Sequence, residues 1–443
     1  MENRLSGIDN LNRAVLNILT ASEIAHIILE SRQLQKYSHS EVRDLQNKRL
    51  RATIKHCYDH IRYYNRLFRE AKLIPDDIKT VEDLKKIPIT RKADIKSLPI
   101  EDITDNNANP EKYVIYRTSG SSGIPLTVFR DKKMWLKNGV AQYLFQLSHG
   151  EKISNKRVQM GGATTLFPPT FVQRLGILRV KAISPLGSTR AQLEEIKKYG
   201  ARTLIGNPST ILSLAKEVKE TDFKGMELSF FFTSGELLNE NTRHFIEETF
   251  HGQLYDTYGA VEFGSIGKEY SRRCYHVTDT VFLETTKDGE TLSAGEEGEI
   301  TVTSLCNYSQ PFVRYSLEDY GIIIDSECTC GSHFPLMKLT SGRVTDIIQL
   351  KNGRVISAHE ANFFLTLMQQ ELKQYQVVQE TNNLLTIKLV KGKGFNDNTI
   401  TEIKQTYKKN LGDEIDVDVF VVDEIQKEKS GKFKLFKTNI PIT

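Results

Sequence analysis

The stretch Tyr116-Arg-Thr-Ser-Gly-Ser-Ser-Gly-Ile-Pro-Leu126 decides how this chain is read. It links an extended segment, Tyr113–Tyr116, to a second one, Leu126–Phe129, through a loop of Thr, Ser and Gly. A hairpin of this kind can close on a polyanion. Gly120 and Gly123 let backbone N–H groups turn toward phosphate oxygens, and Thr118, Ser119, Ser121 and Ser122 add hydroxyl donors. No Gly-x4-Gly-Lys-Ser/Thr pattern is present and no helical pattern follows directly, so this is not a Walker loop.

On either side of the hairpin the hydrophobic period changes. Residues 11–75 read mostly as helix, with Leu11, Val15, Leu16, Ile18, Leu19, Ile24, Ile27 and Ile28 at helical spacing. Pro75, Pro88 and Pro99 then punctuate a loop-rich approach. From 113 to about 265 the pattern predicts strands at 157–160, 203–205, 228–233 and 253–257, with helices at 131–148, 189–199, 208–220 and 239–249 between them. Such alternation implies a largely parallel sheet with helices on its faces, and ligands gather beyond the strand carboxyl ends of such sheets. The hairpin loop, Ser234-Gly235-Glu236 and Tyr258-Gly259 all fall at such ends. Residues 277–350 turn β-rich, and 359–443 reads as α+β, with helices at 359–374 and 397–410, two strands over 376–390 and one at 415–422. The expectation is an α/β protein: a large domain, 1–346, of mixed, mostly parallel sheets with flanking helices and a β-rich subdomain, then a small α+β lid, 347–443. A helical segment, about 1–75, opens the large domain.

Three further motifs follow the hairpin in order. They are Tyr258-Gly-Ala-Val-Glu262-Phe-Gly264, then Arg314-Tyr-Ser-Leu-Glu-Asp319 with Gly342-Arg343-Val-Thr-Asp346, then Ser430-Gly-Lys432-Phe-Lys434. Together they resemble the adenylate-forming superfamily of acyl-CoA synthetases, luciferases and peptide-synthetase adenylation domains. Gly206-Asn-Pro-Ser209, Thr233-Ser-Gly-Glu236 and Cys328-Thr-Cys330-Gly331 resemble its phenylacetate–CoA ligase and capsule-biosynthesis branch, and the likeness runs over about residues 40–437.

The resemblance implies ATP, Mg²⁺ and a carboxylic acid, with acyl transfer to CoA, to an amine or to a carrier-protein thiol. It implies nucleotide contacts from Thr118–Gly123, Ser234–Glu236, Tyr258 and Gly259, ribose binding by Asp319, and a further contact from Arg343. Glu262 would hold Mg²⁺, an ion that prefers oxygen ligands. Asp346 would be the hinge of the lid, and Lys432 would neutralise the charge that develops as pyrophosphate leaves. The acid pocket is expected among Phe145, Gly161, Gly162, Phe231 and Ala260. Two positions depart from the pattern, Val261 where a Thr or Ser is usual and Glu318 where a Gly is usual, and they favour the alternative of a non-catalytic binding protein of the same fold. Cys328 and Cys330, with Cys274 and His276, are expected as a structural zinc set of three thiolates and one imidazole. A homodimer is the remaining expected partnership.

Composition removes other classes. Sixty basic and 56 acidic side chains leave a net charge of +4, without a basic stripe for nucleic acid. No apolar run approaches the roughly 18 residues a membrane span needs. Five cysteines in 443 residues are no disulfide framework, and the first residues carry Glu2, Arg4 and Asp9 rather than an apolar signal core. The expected home is the cytoplasm. There is no Gly-x-Ser-x-Gly elbow and no Gly-x-Gly-x-x-Gly fingerprint, which argues against a hydrolase and a nicotinamide enzyme.

Overall fold

The computed structural model describes residues 21–96, 98–106, 113–117, 126–161, 176–326, 328–341, 347–358, 361, 364–365, 368, 370–425 and 436–440. Helices α1 (Ala21–Leu34), α2 (His39–His60) and α3 (Arg62–Glu70) come first. Ser38 starts α2 with a capping box: its hydroxyl accepts from the N–H of Glu41 while the Glu41 carboxylate takes the Ser38 N–H. The apolar stripe Val42, Leu50, Ile54 and Cys57 is buried. Strands β1 (Tyr113–Arg117) and β2 (Thr127–Asp131) pair in a two-stranded sheet, and the segment between them, 118–125, lies outside the described residues. Asp131 caps helix α4 (Lys132–Ser148) by accepting from the N–H of Met134 at 2.7 Å.

The middle of the chain runs β3 (Arg157–Met160), β4 (Val180–Ile183), α5 (Thr189–Tyr199), β5 (Thr203–Gly206), α6 (Pro208–Glu217), β6 (Phe230–Ser234) and α7 (Glu240–Phe250). Strands β6, β5, β3 and β4 lie side by side in that order, all parallel, as the strand–helix alternation requires. Leu193, Ile196, Ile211, Leu214 and Ile246 from the helices pack on Val158, Leu204 and Phe231 of the strands. Strand β4 is short and partly exposed, and its sequence carries no strong strand signal.

Next come β7 (Gln253–Ala260), β8 (Gly264–Ser271), β9 (Cys274–Val277), β10 (Val281–Lys287), β11 (Glu290–Thr291), β12 (Glu297–Ser304), β13 (Tyr315–Ile324) and β14 (Leu336–Ser341). They are antiparallel in the order β11-β10-β12-β13-β14-β9-β8-β7. The β-rich reading of this region holds. The chain then runs β15 (Ile347–Gln349), β16 (Val355–Ser357), β17 (Leu372–Thr381), β18 (Leu384–Lys391), α8 (Asn398–Leu411), β19 (Asp416–Val421) and β20 (Phe436–Thr438). Residues 372–374, read as helix end from the sequence, are the start of β17. Strand β20 was not legible: it pairs in parallel with β17 through Val377↔Phe436, a contact that no local pattern announces.

By contact pattern the chain forms two compact units. One draws on Met1–Tyr116, Thr127–Gly150 and Asp256–Arg343, the other on Arg117–Leu126, Glu151–Tyr255 and Val344–Thr443. Within the second, the amide of Gly187 donates to the carbonyl of Asn410, and Leu186 packs on the core of the C-terminal segment. No helix among the described residues is long and apolar enough to cross a membrane.

Candidate nucleotide and carboxylate site

The first unit gathers three of the motif residues around the β7–β8 turn. Strand β7 ends in Tyr258-Gly259-Ala260, and the turn carries Glu262. A side chain at Gly259 would put its Cβ 2.4 Å from the carbonyl oxygen of Gly264, so the closing rung admits only glycine. The Tyr258 hydroxyl donates to Asp319 Oδ2 at 2.9 Å. The Tyr315 hydroxyl donates to Glu262 Oε1 at 3.1 Å. Glu262 is 7% exposed, and Tyr315 supplies its hydrogen bond, so the carboxylate keeps acceptor capacity for a cation. Arg130 binds the turn from the other side. Its guanidinium donates to the carbonyls of Val261 and Ala260 and sits 4.4 Å from the centroid of the Tyr116 ring. Burial lowers the Arg130 pKa, with Tyr116 and Glu262 opposing that shift.

The Arg314 motif works differently. Its guanidinium is 1% exposed, pairs with Glu284 at 3.3 Å and donates to the carbonyls of Ile87 and Gly289. It pins the strand that presents Asp319. Glu318, in the position of the usual glycine, has φ +60°, the left-handed conformation a glycine would adopt without strain.

In the second unit, Ser234 and Gly235 are exposed at the end of β6, with Gly235 at φ +83°. The Glu236 side chain is engaged by the fold. Its carboxylate accepts from Asn207 Nδ2 at 3.2 Å, Ser209 N at 2.9 Å and Ser209 Oγ at 2.8 Å. Asn207, the N-cap of α6, offers no side-chain cap of its own. Glu236 therefore caps α6 from a distance, where a carboxylate also suits the helix dipole, and its oxygens are committed to the fold.

Phe231 is fully buried, its ring lies 5.0 Å from that of Phe250, and it belongs to the core between the parallel strands and the helices. Phe145 is buried on α4, Ala260 is half-buried at the turn, and Gly161 is buried at the end of β3. Thr118, Ser119, Gly120, Ser121, Ser122, Gly123, Gly162, Arg343, Asp346 and Lys432 lie outside the described residues.

The expected metal set is met in part. His276, Cys328 and Cys330 place their ligand atoms within 4.8 Å of one another, and His276 Nε2 is 3.1 Å from Cys330 Sγ. His276 Nδ1 lies 3.0 Å from the carbonyl of Phe334, which favours the tautomer that turns a lone pair on Nε2 toward the thiols. Burial lowers the His276 pKa, which keeps the imidazole neutral. Cys274 is on the same strand face but is not part of this group of described residues. All five cysteines are free.

With this geometry in hand, comparison with known proteins is specific. Residues 348–439 match the family model described as the CapK C-terminal domain. The phenylacetate–coenzyme A ligase of Escherichia coli is 26% identical over 364 residues, covering 77% of this chain and 78% of that protein. The enzyme of the same name from Thermus thermophilus is 24% identical over 373 residues, covering 78% and 80%. Among solved structures, 2-hydroxyisobutyryl-CoA ligase in complex with 2-HIB-AMP and CoA shares the fold, with a TM-score of 0.61, 19% identity and 91% of each chain covered.

Proposed function

We propose that this chain, a member of the adenylate-forming superfamily, activates a carboxylic acid with ATP and then passes the acyl group to CoA. The observation that carries the reading is the meeting of Tyr258, Asp319 and a carboxylate with spare acceptor capacity, Glu262, around one hairpin. Asp319 accepts the ribose hydroxyls, and Tyr258, tied to it, lies against the adenine. Glu262 would hold Mg²⁺, which would supply positive charge against the phosphates. An oxygen of the acid attacks the α-phosphorus, the bond to the bridging oxygen breaks, and pyrophosphate leaves. Lys432 neutralises the charge that develops. The CoA thiolate next attacks the acyl carbon, and AMP departs with the bonding pair. The segment after Asp346 acts as a lid that pivots between the two steps.

His276, Cys328 and Cys330 suit a structural zinc ion, and ATP and CoA as substrates suit a cytoplasmic enzyme. Pyrophosphate release over a panel of carboxylic acids, followed by thioester formation on adding CoA, tests the main reading. In the same assay Lys432→Ala should cut acid-dependent ATP–pyrophosphate exchange by about 10²-fold or more, the scale of losing a preorganised charge. Thioester formation from synthetic acyl-adenylate should suffer much less. Equal loss in both steps would assign Lys432 to the fold.

A further inference from the structure

The β7–β8 hairpin has a second face. Alternate strand residues point to opposite sides. Tyr258 reaches Asp319 on one side, while its neighbour Thr257 accepts from Gln142 Nε2 of α4 at 3.3 Å on the other. Lys268 is the cross-strand partner of Thr257. It shares that second face, with its ammonium 5.9 Å from the centroid of Phe145, one turn along α4 from Gln142. Phe145, the aromatic expected in the acid pocket, thus has a lysine beside it. A lone lysine on a strand reads from sequence as a solvated edge.

The charges around it do not balance. Asp279, the acid whose charge acts on Lys268, is already bound by Arg49 at 2.9 Å and Lys137 at 2.7 Å. Glu30 is bound by the same two bases, at 2.8 and 3.0 Å. Among the described residues Lys268 makes no ion pair, and the two carboxylates of this cluster are already shared by Arg49 and Lys137. The side chain is only partly exposed, and burial pulls its pKa down to about 7. An anion brought beside this amine would hold it in its charged form, a role that Asp279, already shared by two other bases, fills only in part.

Position says which anion. Lys268 pairs with Thr257, three residues along β7 from Ala260 at the Glu262 turn, or roughly 10 Å at the rise of a strand. An acid whose reacting carboxylate sits at that turn, and whose body runs past Phe145 on the face away from Asp319, would bring its far end to Lys268. We infer that Lys268 is a specificity residue, and that the acid activated here carries a second anionic group at the end remote from the reacting carboxylate. This deepens the adenylation reading and rests on it.

The test compares matched acids, adipate against hexanoate and 4-carboxyphenylacetate against phenylacetate. In pyrophosphate release the diacid of each pair should have the higher kcat/KM. Lys268→Met should lower that preference by about 10-fold or more, the scale of a charge-assisted hydrogen bond. Lys268→Arg should keep part of it. The methionine variant should be no less heat-stable than the parent, because it removes an uncompensated charge. Should it fail to fold, Lys268→Gln replaces it. Preference for the monoacids, or an equal change in both members of each pair, overturns the inference. If ATP binds but no acid releases pyrophosphate, the adenylation reading falls, and calorimetric binding of adipate and hexanoate decides Lys268 separately. A preference for adipate that the variant loses upholds the anion site, and equal binding overturns it.

Discussion

Glu262 and Glu236 look alike in sequence and end in opposite situations. Each follows a glycine in a turn at a strand end, Tyr258-Gly-Ala-Val-Glu262 in one unit and Thr233-Ser-Gly-Glu236 in the other. Glu262 is almost fully buried, yet it accepts a hydrogen bond from a single tyrosine hydroxyl, with the Arg130 charge acting nearby. Glu236 is half-buried and accepts from Asn207 and from both the amide and hydroxyl of Ser209. A buried carboxylate with spare lone pairs is expensive to maintain and is poised for a cation. A carboxylate whose oxygens close a helix end is a piece of scaffold. The motif announces the residue type, and the hydrogen-bond inventory decides its use.

The sharpest way to break this contrast is to neutralise Glu262. Glu262→Gln keeps the shape and an acceptor for Tyr315 but removes the charge. Exchange activity should fall by about 10²–10³-fold, the scale of losing an electrostatic contact at the reacting phosphates. The melting temperature should change little, and the Mg²⁺ concentration for half-maximal rate should rise. A large drop in melting temperature with activity lost in proportion would make Glu262 scaffold too.

Glu236→Ala should do the reverse. Three donors at the start of α6 lose their acceptor, and the cost should be about 2 kcal/mol of stability in denaturant unfolding. Activity per folded molecule, measured well below the transition, should stay within a few-fold. Loss of ATP affinity with unchanged stability would return Glu236 to the nucleotide site.

The same contrast explains what sequence could and could not reveal. The β7 and β13 motifs were legible because Tyr258 and Glu262 sit at and just past the end of β7, and Asp319 lies within β13, where the Tyr258 hydroxyl reaches it. The parallel order β6-β5-β3-β4 follows likewise from strand–helix alternation. The burial of Phe231 in the helix-facing core was not legible because Phe230-Phe231-Phe232 hides the two-residue period. Phe231 faces the helices, while Phe232 stacks on Tyr255 with ring centroids 5.7 Å apart. Lys268 and β20 were missed for a shared reason. Each takes its meaning from a partner distant in sequence, Phe145 for one and β17 for the other.

A third glutamate extends the comparison to backbone energetics. Glu318 is exposed at φ +60°, directly before Asp319, a left-handed conformation that glycine adopts without strain. An L-residue pays about 1–2 kcal/mol for that conformation, and glycine would pay part of it back through a freer unfolded chain. Glu318→Gly should therefore raise stability by about 1 kcal/mol or less. The substitution leaves the Asp319 carboxylate and its bond from Tyr258 in place, so ATP affinity should hold within about two-fold, less than half a kcal/mol. Urea unfolding and ATP titration of the same preparation would read both quantities. If stability falls, the Glu318 side chain makes contacts worth more than the strain it imposes. If stability rises but ATP binds several-fold more weakly, the left-handed turn is what holds Asp319 in place, and Glu318 joins Glu262 on the functional side of the contrast rather than Glu236 on the structural side.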